Sequence, residues 1–473
     1  MNDLAPHEPY GASADPVDPG SQTLETTMPP PTTFLPDTCP TATCPPSTVE
    51  SGPLALLGAG VEVPTDRGVA VPYANFDVAA SAPCARAAAD AVNALLPYYA
   101  SVHRGAGALS QRCTLAYEQA RQVVGDFLGC GPEHAVVFTR NTTDATNLLA
   151  RALPPGTTVV TFAGEHHANL LPWPDAVRLP LPDGPAAAVA AVDAALAGLG
   201  AGTTLVAVTG ASNVTGELWP VRQLAEVAHR YGARVALDAA QLAAHRPVNV
   251  SELDVDYVVL SGHKLYAPFG AGVLAGRCDW LDAAPPYLRG GGATKHVGDA
   301  PGDVRWHTGP ARHEAGTPNL LGAVALAAVC AALEAADRDA LAAREDSLLV
   351  RLRHGLDAIP GIQQLSLFGP DHPRVGIVSF VVDGQDSATV AARLSTRHGI
   401  GVRDGLFCAH PLTRHLLPAR GTALRASLGL GTTTTDVDRL VSALTEQVRV
   451  RAGGCADAAP RTTAPGRRSQ PVG

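Results

Sequence analysis

Of the 35 lysines and arginines in this 473-residue chain, only two are lysines, Lys264 and Lys295. So strong a bias towards Arg, Ala, Gly and Pro marks positions where any cation would serve. A surviving lysine then draws notice for what an arginine cannot do, because its amine can lose a proton and form a Schiff base. Lys264 stands in Ser261-Gly262-His263-Lys264, directly after the apolar run Tyr257-Val258-Val259-Leu260. It is the first candidate for a covalent cofactor anchor.

Asp238 closes the run Arg234-Val235-Ala236-Leu237, 26 residues before Lys264. A carboxylate so placed can keep a pyridine nitrogen protonated, as pyridoxal phosphate chemistry requires; it can also be a cap or loop aspartate. Asn141-Thr142-Thr143-Asp144 follows another apolar run and suits either a phosphate at a helix N-terminus or simple capping. In Glu165-His166-His167-Ala168-Asn169, one histidine could stack on a flat ring, or the two could form an ordinary surface pair. Adjacent histidines point apart and no third ligand is evident, so metal is not expected here. Asn213 and Gln241 could contact a ring oxygen from opposite sides or hold loops together. Cys408 lies in Arg403-Asp404-Gly405-Leu406-Phe407-Cys408-Ala409-His410-Pro411, where Arg403 and His410 could favour a thiolate; a buried structural thiol is the alternative. Arg425 could grip a carboxylate through two hydrogen bonds or make a salt bridge.

These residues need a frame. Ala135–Phe138, Thr158–Phe162, Thr204–Val208, Arg234–Leu237 and Tyr257–Leu260 are mostly continuous apolar runs, as in strands buried on both faces. Helical stretches such as Val221–Tyr231 separate them, which predicts an α/β fold: a mainly parallel central sheet flanked by helices. From Arg338 the texture changes. A long charged helix to about Ala358, a run at Val375–Val382, a helix from Ser387 and a closing helix from Asp436 suggest a smaller α+β C-terminal domain. The expected divisions are a Pro/Thr-rich disordered tail at 1–50, a large domain at 51–325 whose N-terminal segment packs on the small one, the small domain at 326–451, and a disordered tail at 452–473. The alanine-rich Gly322–Ala336 reads as a packed helix.

A net charge of −9 without a Lys/Arg cluster argues against nucleic acid or a membrane surface. No apolar run reaches the roughly 20 residues needed to span a bilayer, and Met1–Gly20 has neither the basic nor the apolar region of a secretory signal, so none is expected. Nine scattered cysteines suggest a reducing cytoplasm rather than a disulfide framework. Cys39 and Cys44 lack a second ligand pair for zinc, and the cysteines other than Cys408 read mostly as buried small hydrophobes.

Taken in order, these strand-end motifs resemble the class V, fold-type I pyridoxal phosphate enzymes, nearest to the SUF-type cysteine desulfurase and selenocysteine lyase branch. The resemblance runs from about Asn75 to Val448 and includes Val102-His103-Arg104-Gly105 and Glu314-Ala315-Gly316-Thr317-Pro318-Asn319. It implies that Lys264 holds pyridoxal 5′-phosphate as a Schiff base and shuttles protons, that His166 stacks on the ring and that Asp238 pairs with its nitrogen. Thr143, Ser261 and His263 would bind the phosphate, with Thr142 nearby, while Asn213 and Gln241 would meet substrate or the ring oxygen. Arg425 would hold the substrate carboxylate with Arg403 close by, and Cys408 would form the persulfide. The resemblance also implies a homodimer with active sites at the subunit interface, and a possible sulfur-acceptor protein. That branch usually has two histidines directly before the cysteine; here Leu406 and Phe407 stand there and His410 follows. The segment Arg305–Arg312 also departs, leaving Thr308 as the candidate to reach a neighbouring subunit's phosphate. The leading expectation is conversion of L-cysteine to L-alanine through Cys408. Another class V reaction, such as aminotransfer, epimerisation or C–S lysis with Cys408 uninvolved, is the alternative. A non-enzymatic scaffold is poorly compatible with Lys264, Asp238 and His166 together.

Overall fold

The computed structural model describes residues 54–418 and 421–456. Its centre is a seven-stranded sheet in the order His134–Thr139, Gly272–Arg277, Tyr257–Ser261, Arg234–Asp238, Thr204–Thr209, Thr158–Phe162, Val177–Leu179. Gly272–Arg277 runs antiparallel to both neighbours, and the remaining pairs are parallel. All five strands expected from the apolar runs are present. Gly272–Arg277 escaped that reading because two glycines break its apolar run, and Val177–Leu179 because it is three residues long with a central arginine.

Alternate residues of the central strands enter two different cores. In Thr204–Thr209, Val206 and Val208 join one cluster with helices Ala108–Phe127, Val221–Arg230 and Leu320–Glu334, whereas Leu205 and Ala207 face helix Thr142–Ala152. Burial on both faces is what continuous apolar strands require, at roughly 1.5–3 kcal/mol for each Val or Leu side chain. Leu320–Glu334 is the packed helix expected there, with nine residues buried. Among the described residues no single helix is long and apolar enough to cross a membrane.

A second, antiparallel sheet has the order Ile362–Gln364, Ile377–Val382, Ala423–Ser427, Arg403–Gly405. With helices Arg338–Asp357, Ser387–His398 and Thr434–Ala456 it encloses its own core around Leu352, Phe380 and Leu440. The closing helix continues to Ala456, past the expected tail boundary at 451; the rest of both tails lies outside the described residues. Ala74–Asn75 pairs with Ile400–Gly401, and Phe76 enters the second core. The two sheets are joined through Glu217, whose buried carboxylate accepts from Ser366 Oγ and from the backbone N–H groups of Leu367 and Phe368.

The cysteines need a correction. Cys113 and Cys330 are buried, but Cys84, Cys130 and Cys278 are only partly so. Each of those three lies in a loop or at an element end, where packing closes on one side only. Cys39 and Cys44 fall outside the described residues.

Candidate active site

The candidate residues gather at the carboxyl ends of the central strands, where open α/β sheets place ligands. Lys264 follows Tyr257–Ser261 through a tight turn. Gly262 donates to Ala271 O at 2.8 Å, and a Cβ there would sit 2.7 Å from that same oxygen, so only glycine fits. Burial lowers the Lys264 pKa; Asp238 opposes that effect, while Arg425 adds to it. A depressed pKa leaves more of the neutral amine, the form that attacks a carbonyl.

Asp238 is buried at the end of its strand, and its Oδ1 accepts from Ala240 N at 2.9 Å. Its other oxygen has no hydrogen-bond donor among the described residues. Burial raises its pKa and Lys264 pulls it back down. His166 accepts from Ala168 N through Nδ1 at 3.0 Å, which puts its proton on Nε2. Burial, then Lys264, His167 and Arg425, hold its pKa down to about 3. It is a neutral ring at physiological pH, suited to lie against another flat ring.

Asn141 caps helix Thr142–Ala152 by accepting from Asp144 N. Thr142 donates its backbone N–H to Ser261 Oγ at 2.8 Å, and the two hydroxyls are also 2.8 Å apart. Thr143 is exposed on the same first turn and His263 is half-buried beside Lys264. Gly272 lets the antiparallel strand come close: a Cβ there would stand 2.5 Å from the Asn141 Cα. A helix start, two hydroxyls and a backbone kept clear of side chains form a cradle suited to a phosphate.

Asn213 and Gln241 are both buried and already at work in the loops. Asn213 Nδ2 donates to Phe407 O at 2.7 Å, and Gln241 Nε2 to Ala79 O at 2.9 Å. Their carbonyl oxygens have no donor among the described residues. Arg425, buried on strand Ala423–Ser427, donates to Asn213 O at 3.0 Å and to Asp77 Oδ1 at 3.3 Å. Its Nε is buried without a partner. Arg403 lies opposite Arg425 in register, exposed, with Asp77 Oδ2 4.0 Å away. Asp77 thus sits between two cations that would otherwise repel.

Cys408 is exposed and is tied to the same cluster by the Asn213 hydrogen bond to Phe407 O directly before it. Phe407 and Cys408 both have φ of 52°, two successive non-glycine residues in the left-handed region. Such strain costs about 1–3 kcal/mol per residue and persists only where surroundings enforce it. Here Asn213 holds Phe407 O, His167 N donates to Cys408 O at 2.8 Å, and Arg425 lies 5.2 Å from the Phe407 ring centre.

Sequence reasoning gave no role to Asp77, Glu165 or Phe407. Glu165 is buried and accepts from Thr209 N and Asn169 Nδ2, tying the His166 loop to the next strand; burial, reinforced by Asp238, raises its pKa to about 8. Its place directly before His166 in the quoted motif was the available signal. Thr308 is apart from the cluster, exposed on a cleft of about 620 Å³ with His103, Arg104 and Glu314. Lys295 lies on a separate two-stranded ribbon, Thr294–Val297 with Val304–Trp306.

The donor set fits a flat, phosphorylated aromatic aldehyde. Lys264 offers an amine, Asp238 an unpartnered carboxylate oxygen, His166 a neutral ring, and Thr142, Ser261 and the helix start an anion cradle. Arg425 adds an unpartnered buried N–H for a substrate carboxylate.

The aminotransferase class-V family model matches residues 74–440. A cysteine desulfurase of Pectobacterium atrosepticum is 37% identical over 388 residues, 79% of this chain and 92% of that protein. Among solved structures, the apo cysteine desulfurase of Thermococcus onnurineus superposes with a TM-score of 0.73 at 33% identity, covering 80% of this chain and 95% of the other. An Escherichia coli cysteine desulfurase in its S-sulfonic acid form gives 0.71 at 31% identity, with the same coverage.

Proposed function

Since the chain belongs to the aminotransferase class-V family, we propose that it is a pyridoxal 5′-phosphate-dependent cysteine desulfurase. It takes L-cysteine to L-alanine and leaves the sulfur on Cys408 as a persulfide. One observation carries this reading. The fold holds an exposed thiol on a strained turn whose preceding residue, Phe407, is gripped by Asn213 and lies 5.2 Å from Arg425.

In this reading Lys264 anchors the cofactor, Asp238 keeps its ring nitrogen protonated, and His166 lies against the ring. Ser261, Thr142, Thr143 and His263 hold the phosphate. When bound, pyridoxal phosphate supplies an electron sink for charge developing at the substrate Cα. Arg425, with Arg403 at the rim, orients the substrate carboxylate, and Asn213 and Gln241 offer their carbonyl oxygens as acceptors. Lys264, released by substrate, takes and returns protons with its low-pKa amine. The Cys408 thiolate attacks the substrate sulfur: the Cβ–S bond breaks, an S–S bond forms, and the electron pair left on carbon is protonated. Cysteine plus the Cys408 thiol therefore balance alanine plus the Cys408 persulfide. Exposure of Cys408 then allows a small thiol or a sulfur-acceptor protein to take the sulfur. A homodimer in a reducing cytoplasm belongs to the same proposal, to be tested by light scattering on the purified protein.

The deciding assay supplies L-cysteine and a thiol reductant and measures alanine and sulfide for wild type and Cys408→Ala. Both products should be lost in the variant, and a Cys408 peptide heavier by one sulfur should appear in wild type without reductant. Alanine formation unaffected by Cys408→Ala would refute the persulfide role, and a wild type that makes no alanine or sulfide would leave another class V reaction in its place.

A further inference from the structure

His167 and His410 come from segments 243 residues apart in sequence, yet their rings meet edge to face, with centroids 4.5 Å apart and planes at 72°. Both are half-buried. The His167 backbone N–H also holds Cys408 O at 2.8 Å, and His410 lies two residues beyond Cys408 at the start of helix His410–Leu416. One histidine therefore grips the strained turn through its backbone and steadies the other through its ring. Two imidazolium rings at that separation would repel, so the pair accommodates one proton more readily than two.

We propose that His167 and His410 act together as positioning residues for Cys408, His167 clamping its left-handed turn and bracing the His410 ring beside it, where an imidazolium would favour the thiolate. This rests on Cys408 being the sulfur acceptor. Burial and the neighbouring His410 both lower the His167 pKa, which favours the neutral form of that ring. The other charged groups facing this corner are Lys264 after the central sheet, Arg425 and Arg403 on the second sheet, and Asp77, which bridges those two arginines. His166 on the adjoining segment is neutral, and Arg414 and His415 stand at the far end of the His410 helix.

The test follows Cys408 itself rather than turnover. The holoenzyme is treated with iodoacetamide across pH from about 5.5 to 9, and carboxamidomethylation of the Cys408 peptide is timed by mass spectrometry. His410→Phe keeps an aromatic edge for His167 and removes the charge. Its thiol midpoint should rise by about one unit, and its rate below that midpoint should fall about threefold, because a thiolate of higher pKa is also the better nucleophile. His410→Arg, a fixed cation, should restore the wild-type midpoint. A His410→Phe profile that overlays wild type overturns the proposal, whatever its effect on stability. Alanine release from L-cysteine is measured on the same samples. If Cys408 reactivity follows His410 but Cys408→Ala still makes alanine, the pair stands and the sulfur-acceptor reading falls. If alanine depends on Cys408 while its reactivity ignores His410, the pair falls alone.

Discussion

Gly272→Ala should weaken cofactor binding without replacing any side chain proposed to contact the cofactor. Gly272 begins the antiparallel strand, pairing with Thr139 on one side and Ser261 on the other. A Cβ there would lie 2.5 Å from Asn141 Cα and 2.7 Å from its C and N. Ordinary carbon contacts are about 3.5–4.0 Å, so the Asn141 turn and the strand must separate by about 1 Å. The obstacle is backbone, not a side chain that can swing away. Overpacking of this kind costs about 1–3 kcal/mol. Part of the displacement falls on the Thr142–Ser261 contact and the start of the Thr142 helix, the proposed phosphate cradle. If most of the cost appears in binding, affinity for pyridoxal phosphate should drop about 5- to 150-fold, at 1.4 kcal/mol per factor of ten. The assay titrates pyridoxal phosphate into apoprotein, following the visible absorbance of the lysine-bound form, with melting curves of the same samples. Gly198→Ala is the control: it ends a helix, its Cβ would meet nothing within 4 Å, and it should leave affinity unchanged. Gly272→Ala with wild-type affinity and melting temperature would refute the cradle geometry.

Three further outcomes are expected. Arg425→Lys should lower kcat/KM for L-cysteine about 10- to 100-fold, mostly through KM, because an ammonium cannot reproduce the planar fork spanning Asp77, Asn213 and a carboxylate; steady-state kinetics check this. Asp238→Asn removes the charge that raises the Lys264 pKa, so the variant's lysine should titrate lower, as read by the pH dependence of its reaction with a free aldehyde in apoprotein. His229 lies between Asp256 and Asp254, at 3.0 and 3.2 Å. Burial lowers its pKa, but the two carboxylates outweigh burial and raise it. Its contribution to stability is therefore full below the unfolded pKa of about 6.5 and lost as pH rises through the higher folded value. Thermal melts from pH about 5 to 8 should show that slope in wild type and lose it in His229→Gln.

Much of the site was legible in the chain because its residues sit directly after apolar runs. A strand buried on both faces must be continuously apolar, so its end is visible in the sequence, and Asp238, Ser261 and Lys264 mark such ends. The paired readings left open at Asn213 and Gln241 proved compatible: each amide nitrogen stabilises a loop while its oxygen has no donor among the described residues. Less legible were the contacts that close the site from the second sheet. Nothing local to Asp77 shows that it will lie between Arg403 and Arg425.

By itself the sequence singled out Lys264 as the candidate amine, and determined the alternation of buried strands and helices and the order of the chemical groups along the chain. These follow from side-chain chemistry and from periodicities of a few residues. Only the tertiary structure decided that Asn213 holds the Phe407–Cys408 turn, that Arg425 reaches Asn213 across 212 residues, and that His167 meets His410. Those contacts depend on strand order and on how the second sheet seats against the first. That arrangement is settled by the burial of whole faces and by the Glu217 and Asn213 bridges, and no short stretch of residues carries it.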